Sequence, residues 1–244
     1  MLASVKILLL AILVVFILPV LVHIVVWESA RRPRSWWQAD WSSSHLLPPP
    51  AADRQASIRV MAARTGGIKG AFAVHTWIVL KRENASSYER YEVVGWGDPV
   101  RRNSQPADGR WYSNDPVVVH EVKGPEAQRL IPQVEAAIRG YQWSKQGSYR
   151  IWPGPNSNTF VATVLSDVPE LGFDIPPTAV GRDYRTGLFR TGSGGWSLSL
   201  GGIAGITVGW SEGVQVSFLG LVSGVRFKDP AIILPGFGVL GGRV

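Results

Sequence analysis

The 21 residues from Ile7 to Trp27 contain no Asp, Glu, Lys or Arg. A helix of that length, rising 1.5 Å per residue, reaches across a hydrocarbon layer of about 30 Å. Nothing along the run is polar enough to mark a face for water, so a buried soluble helix is a poor fit. A cleaved export signal would have an apolar stretch of roughly 7 to 15 residues and a small-x-small exit. Here the exit reads Trp27-Glu28-Ser29-Ala30-Arg31-Arg32, with a charge where a small residue is needed. The run is therefore expected to stay on the protein as a single-pass anchor, residues 1–30.

Orientation is contested by the flanking charges. Lys6 and the amino terminus lie on one side, and Arg31, Arg32 and Arg34 on the other. A count of basic residues alone keeps the body in the cytoplasm. A very short basic start followed at once by an apolar run instead resembles an export signal-anchor, and the expectation adopted is an inner-membrane protein with its main domain on the periplasmic face. Trp27, Trp36, Trp37 and Trp41, four of the 11 tryptophans, crowd the exit of the helix. They read either as an interfacial belt or as a hydrophobic lid on the domain.

Composition removes several chemistries. There is no cysteine, which excludes disulfide scaffolds, thiolate metal sites and cysteine nucleophiles. The histidines show no metal-ligand spacing, and the glycines open no phosphate-binding loop, so no metal and no cofactor is expected. A net charge of +7 suits an anionic surface. Because the basic residues are scattered along a tethered body, the expected partner is the membrane, with a cell-wall or lipid ligand and no nucleic acid. The oligomeric state is left open.

Residues 31–56, with Ser42-Ser43-Ser44 and Pro48-Pro49-Pro50, read as a Trp/Pro-rich stiff spacer. Strands are expected at Ser57 to Ala63, Ala71 to Lys81 and Tyr88 to Trp96, each rich in β-branched and aromatic residues. Leu130, Val134, Ile138 and Tyr141 fall at helical spacing between Pro125 and Gly140, with Pro132 expected to kink that helix or delay its start. Phe160, Val161, Val164, Leu165 and Val168 mark a second helix stopped by Pro169. From Gly187 onward lie 15 of the 27 glycines. There the period-two alternation of Trp196, Leu198 and Leu200 with serines predicts antiparallel strands. These strands either complete the domain sheet or form a second membrane-contacting surface. The fold class is α+β, with an anchor, a spacer, a core over 57–186 and a glycine-rich β-hairpin segment over 187–244.

Two residues carry candidate chemistry. His75 sits in the apolar strand Phe72-Ala73-Val74-His75-Thr76-Trp77-Ile78-Val79-Leu80. Ser157 opens a helix, where free N–H groups and the helix dipole stabilise an anion. A serine there with a histidine base could support acyl transfer, and Glu92 on the following strand is the candidate third member. Asn156, Asn158 and Thr159 would supply polar contacts to a substrate. The simpler reading of Ser157 or Asn156 is an N-cap, and of His75 a hydrogen-bonded core histidine.

The opening Asn156-Ser157-Asn158-Thr159-Phe160-Val161, together with the His75 strand, resembles the circularly permuted papain-like domains, the NlpC-type and lecithin retinol acyltransferase-like group. Those families open the helix with Asn-Cys-x-x-Phe-Val, and this chain has serine in the cysteine position. The segments Ala71 to Val79, Val93-Val94-Gly95-Trp96-Gly97 and Trp152 to Phe160 also resemble an uncharacterised proteobacterial family of membrane-anchored proteins. The resemblance implies a papain-like core with His75 facing Ser157. A serine hydroxyl is too weak an acid to be ionised by the environment that activates a thiol. Two functions follow: a non-catalytic envelope module binding a peptide, glycan or lipid group, or a serine hydrolase or acyltransferase on cell-wall peptides or lipid acyl groups.

Overall fold

A computed structural model describes residues 2–30, 32–33, 35–172, 175–192 and 195–242. Arg31 and Arg34, which enter the charge count at the helix exit, lie outside the described residues. The architecture is α+β, with an N-terminal apolar helix and two antiparallel sheets.

The apolar segment forms helices α1 (Leu2–Ile12) and α2 (Leu18–Glu28), joined by a π-helical turn at Leu13–Ile17. Pro19 lies in the first turn of α2 and has no N–H to donate back into the preceding turn, which accommodates the wider winding there. The continuous helix Ala3–Glu28 is long and apolar enough to cross a membrane. Phe16 and Trp27 are its two residues buried against the rest of the chain.

The first sheet runs in the order β4-β3-β2-β1-β5. Its strands are β1 (Ser57–Arg64), β2 (Val74–Lys81), β3 (Glu89–Val93), β4 (Val100–Arg102) and β5 (Val117–Lys123), all paired antiparallel. The two central strands are buried along almost their whole length, and successive side chains on a strand point to opposite faces. One face presents Ile58, Val60, Val74, Ile78 and Leu80 to helices α3 (Gly124–Arg139) and α4 (Ser157–Asp167). The opposite face presents Met61, Ala63, Trp77 and Val79 to Trp111, Trp41 and Leu47. Each large apolar side chain fully buried here contributes about 1.5 to 3 kcal/mol.

Helix α3 begins at Gly124 and runs through Pro132, so the proline does not delay its start. Strand β5, the Val117-Val118-Val119 run between Pro116 and Gly124, was not among the expected strands. The supposed spacer does not stand off from the domain. Asp108 accepts hydrogen bonds from the Ser43 hydroxyl at 2.6 Å and the Leu47 amide at 3.1 Å, and Trp41 and Leu47 pack in the second core. A segment that covers an otherwise exposed face of a two-sided sheet cannot be a free linker.

The glycine-rich segment does not complete the first sheet. It forms a second one, a meander of seven strands in sequential order: β6 (Phe189–Gly192), β7 (Gly195–Leu200), β8 (Ala204–Gly209), β9 (Gly213–Phe218), β10 (Leu221–Arg226), β11 (Ala231–Leu234) and β12 (Gly238–Gly241). The β9–β10 turn places Leu219 and Gly220 at φ 54° and 82°, the positive-φ pair of a two-residue hairpin loop. The Trp152 indole donates to the Leu219 carbonyl at 2.9 Å and ties that turn to the loop before α4.

The start of α4 is locked by its own side chains. Asn156 is the N-cap: its Oδ1 accepts from the amides of Asn158 and Thr159 at 2.9 and 3.1 Å, and its Nδ2 donates to the carbonyls of Ile151 and Val180. Thr159 Oγ1 accepts from the Asn156 amide and donates to the Gly181 carbonyl at 2.7 Å. Gly181 has φ +96°, and a Cβ there would meet Asn156 Nδ2 at 2.2 Å. Gly181→Ala should therefore cost about 2 to 4 kcal/mol, combining the left-handed backbone penalty with loss of the cap. Gly187→Ala, with no positive φ and its nearest neighbouring atom 3.8 Å away, should stay within about 0.5 kcal/mol. Thermal unfolding of the solubilised full-length variants checks this; equal midpoints for the two would refute it.

Candidate functional site

On β2 the residues His75, Trp77 and Val79 share one face, and on the neighbouring β3 Arg90 and Glu92 share the same one, as the pairing of Val79 with Arg90 requires. Five same-face positions on two adjacent strands thus hold a histidine, a tryptophan, a valine, an arginine and a glutamate in a buried layer. The loop between β4 and β5 closes over them.

Glu92 is the centre of that layer. Its Oε2 accepts from His75 Nε2 at 2.8 Å and from an Arg90 guanidinium nitrogen at 2.8 Å, and its Oε1 accepts from the Ser104 hydroxyl at 3.0 Å. Arg90 also donates to the Pro106 carbonyl at 2.9 Å and lies over the Trp77 ring, 4.1 Å from its centroid. The Trp77 indole donates to the Ala107 carbonyl at 2.8 Å. His75 stacks flat on Trp111, with centroids 3.7 Å apart and planes 5° apart. His75, Arg90 and Glu92 are all buried. Removing one member of such a buried pair leaves an uncompensated charge and costs about 3 to 5 kcal/mol.

The electrostatics follow from this packing. Burial pushes the Glu92 carboxyl up, but the His75 hydrogen bond and the Arg90 charge outweigh it and hold the group at about 2. Burial drives the His75 imidazole below its ordinary value, against the pull of Glu92. At neutral pH the layer is thus an ionised carboxylate paired with Arg90 and receiving a hydrogen bond from a neutral histidine.

Above Glu92 lies a pocket of about 260 Å³ walled by Trp36, Trp41, Trp96 and Trp111. Glu92, Arg101, Ser104 and Gln105 supply its polar lining. Trp41 packs edge-on against Trp111 at 5.1 Å and at a 45° tilt against Trp36 at 5.5 Å. An aromatic series therefore runs from the surface at Trp36 down to the His75 ring.

Ser157 is elsewhere. Thr76, the residue after His75, faces α4 and donates to Asn158 Oδ1 at 2.9 Å; alternation along β2 turns His75 to the opposite face. Ser157 opens the helix packed on the Thr76 face, so Ser157 and His75 lie on opposite sides of the sheet and do not form a nucleophile–base pair. Glu92, by contrast, does meet His75. The contacts expected from Asn156, Asn158 and Thr159 toward a substrate are directed inward: all three are buried, and Asn158 Nδ2 donates to the carbonyls of Val74 and Val180 at 2.9 and 2.8 Å. Sequence reading missed Arg90, Ser104, Gln105 and Trp111. The signal for Arg90 was present, two residues before Glu92 on the same strand face. The loop residues carried no periodicity that could have placed them.

Two groups of this layer make stability depend on pH in the same direction. The folded state resists protonating His75, so stability is complete above the ordinary value of 6.5 and falls as pH drops below it. Glu92, depressed from 4.5 to about 2, contributes stability that is present above 4.5 and is lost between those values. The thermal midpoint of the full-length chain should decline in two limbs on acidification, and His75→Gln should abolish the first relative to wild type and leave a smaller second one, because Arg90 still holds the Glu92 carboxyl down. An unchanged first limb in that variant would contradict the assignment.

No curated protein and no solved structure matches the chain. A family match covers residues 55–184 and is described as "Protein of unknown function (DUF3750)". It spans all five strands of the first sheet, both packed helices and the His75–Glu92–Arg90 layer. By that match the chain belongs to the DUF3750 family.

Proposed function

We propose that this chain is a membrane-anchored, non-catalytic binding protein of the cell envelope, with its domain on the periplasmic face of the inner membrane, and that it takes one ring of a glycan into the tryptophan-walled pocket. The observation that carries the reading is the joining of four indoles with Glu92, Arg101, Ser104 and Gln105 around a single cavity. Flat aromatic faces cover the apolar face of a sugar ring, while an amide, a guanidinium and hydroxyl or carboxylate oxygens at the edges satisfy its hydroxyls. The volume of about 260 Å³ falls just under the roughly 300 to 1,000 Å³ of drug-sized sites, which suits one ring better than an extended peptide.

A cationic ligand fits less well. An aromatic cage for an ammonium group works through its unopposed negative potential, and here Arg90 neutralises Glu92 while Arg101 stands at the wall. Catalysis also lacks support from the order of contacts. The Ser104 hydroxyl and His75 both bind Glu92, which leaves the carboxylate between them instead of the histidine between a nucleophile and an acid. The length and apolar character of the helix Ala3–Glu28 and the tryptophans crowding its exit support the anchor.

The test is a fluorescence titration of the full-length chain in nanodiscs, since glycosidic detergents would compete. Oligomers of N-acetylglucosamine should give a saturable change in tryptophan emission. Trp96→Ala, at a half-exposed position, should weaken binding about tenfold, equivalent to about 1.4 kcal/mol. Phosphocholine should give no saturable response. A response to phosphocholine alone, or an unchanged affinity in Trp96→Ala and Gln105→Ala, would overturn the glycan reading.

A further inference from the structure

In the second sheet a large share of the apolar side chains faces outward. Directly paired residues on neighbouring strands share a face, and one row crosses six strands as Trp196, Val208, Val214, Val225, Ile232 and Leu240. It contains no polar residue. A flanking row, Leu200, Ala204, Phe218 and Leu221, is apolar as well. This face is open: Leu198, Leu200, Val216, Val225 and Ile232 are 38 to 56% exposed. The opposite face is mixed: over β7 to β9 it holds serines, a threonine and a glutamine, and over β10 and β11 the buried Val222, Ala231 and Ile233. Ser199, Gln215 and Ser217 are buried, with the Ser199 hydroxyl donating to the Asp183 carbonyl at 2.7 Å and Gln215 Oε1 accepting from Arg182 at 2.8 Å.

A soluble one-sided sheet shows the reverse pattern, apolar side chains inward and polar ones to water. Seven strands, four to six residues long and spaced about 4.8 Å apart, cover on the order of 500 Å², near the upper end of apolar patches on soluble monomers. What covers this face is indicated by the apolar N-terminal helix. Phe16 packs edge-on against Phe218, on the open face, at 5.8 Å. His23 packs against Phe237, in the turn between β11 and β12, at 4.7 Å. Phe16 lies twelve residues before Glu28, about 18 Å along the helix axis, well inside the apolar span. The face is thus continuous with the helix at the depth where the helix itself meets hydrocarbon.

We infer that the open face of the second sheet is a lipid-facing surface, its apolar side chains immersed in the leaflet that surrounds the C-terminal half of the anchor. The inference rests on the anchor reading above. Because unpaired backbone groups at β6 and β12 are costly in hydrocarbon, it is the side chains of the face that enter. The chain then holds the bilayer by two elements, a helix that crosses and a sheet that rests in one leaflet.

The absence of native cysteine allows a clean test. Single variants Leu198→Cys, Ile232→Cys, Val14→Cys and Lys145→Cys of the full chain are labelled with an environment-sensitive fluorophore and reconstituted in vesicles containing phospholipid spin-labelled on the acyl chain. The labels at 198 and 232 should be blue-shifted and quenched severalfold, like the one at 14, while the label at 145 should behave as in water. Quenching at 14 with water-like labels at 198 and 232 would leave the anchor standing and overturn the inference. No quenching at 14 would remove the anchor reading and the inference with it. Unquenched labels at 198 and 232, with disulfide cross-linking between copies through position 198, would assign the face to a second copy of the chain and equally overturn it.

Discussion

Strand β2 is buried on both sides, and the alternation of its side chains governs the rest of the first domain. Val74, Thr76, Ile78 and Leu80 turn toward α3 and α4, while His75, Trp77 and Val79 turn toward the tryptophan layer. Each face then needs its own cover. The helices supply one with Phe160, Val161 and Val164. The chain's own N-terminal connection and the loop before β5 supply the other with Trp41, Leu47 and Trp111. A shift of one residue in register would move His75 to the helices and Thr76 to the tryptophans, reversing both packings at once.

The burial that makes β2 so constrained also explains the polar centre beside it. A carboxylate placed under a tryptophan layer is costly unless its oxygens are satisfied. Glu92 meets that demand with three donors from three different parts of the chain: β2, β3 and the loop that carries Ser104. The same donors fix the loop, and the loop fixes Trp111 against His75. The pocket is therefore a consequence of charge satisfaction, with rigid walls because the groups beneath it cannot move without exposing an unpaired charge.

The second sheet solves a different problem. Its inner face is packed through buried serines and a glutamine with only a few apolar residues, Val222, Ala231 and Ile233, among them. The larger share of the sheet's apolar side chains is turned outward. In water such an arrangement forfeits the main driving force for a β-meander. It becomes coherent under the proposal that the adjoining apolar helix, long enough to cross a membrane, lies in lipid, where apolar side chains gain a second non-aqueous surrounding.

Much of this was readable along the chain wherever a single period dominated. The uncharged run to Trp27 marked a helix, the alternation of Trp196, Leu198 and Leu200 marked strands, and the apolar spacing after Pro125 marked α3. The strand carrying His75, and the one carrying Glu92, could be placed by the same rule. Periodicity is local, however, and says which residues share a face without saying what that face meets. It could not reveal that residues 41–47 fold back over β2, that the glycine-rich strands form a sheet of their own, or that Ser157 and His75 are separated by the sheet. Those outcomes depend on which surfaces are left uncovered once the local elements exist. Burial of the remaining apolar area and pairing of the last buried charge are settled between segments far apart in sequence, and only the assembled tertiary structure decides them.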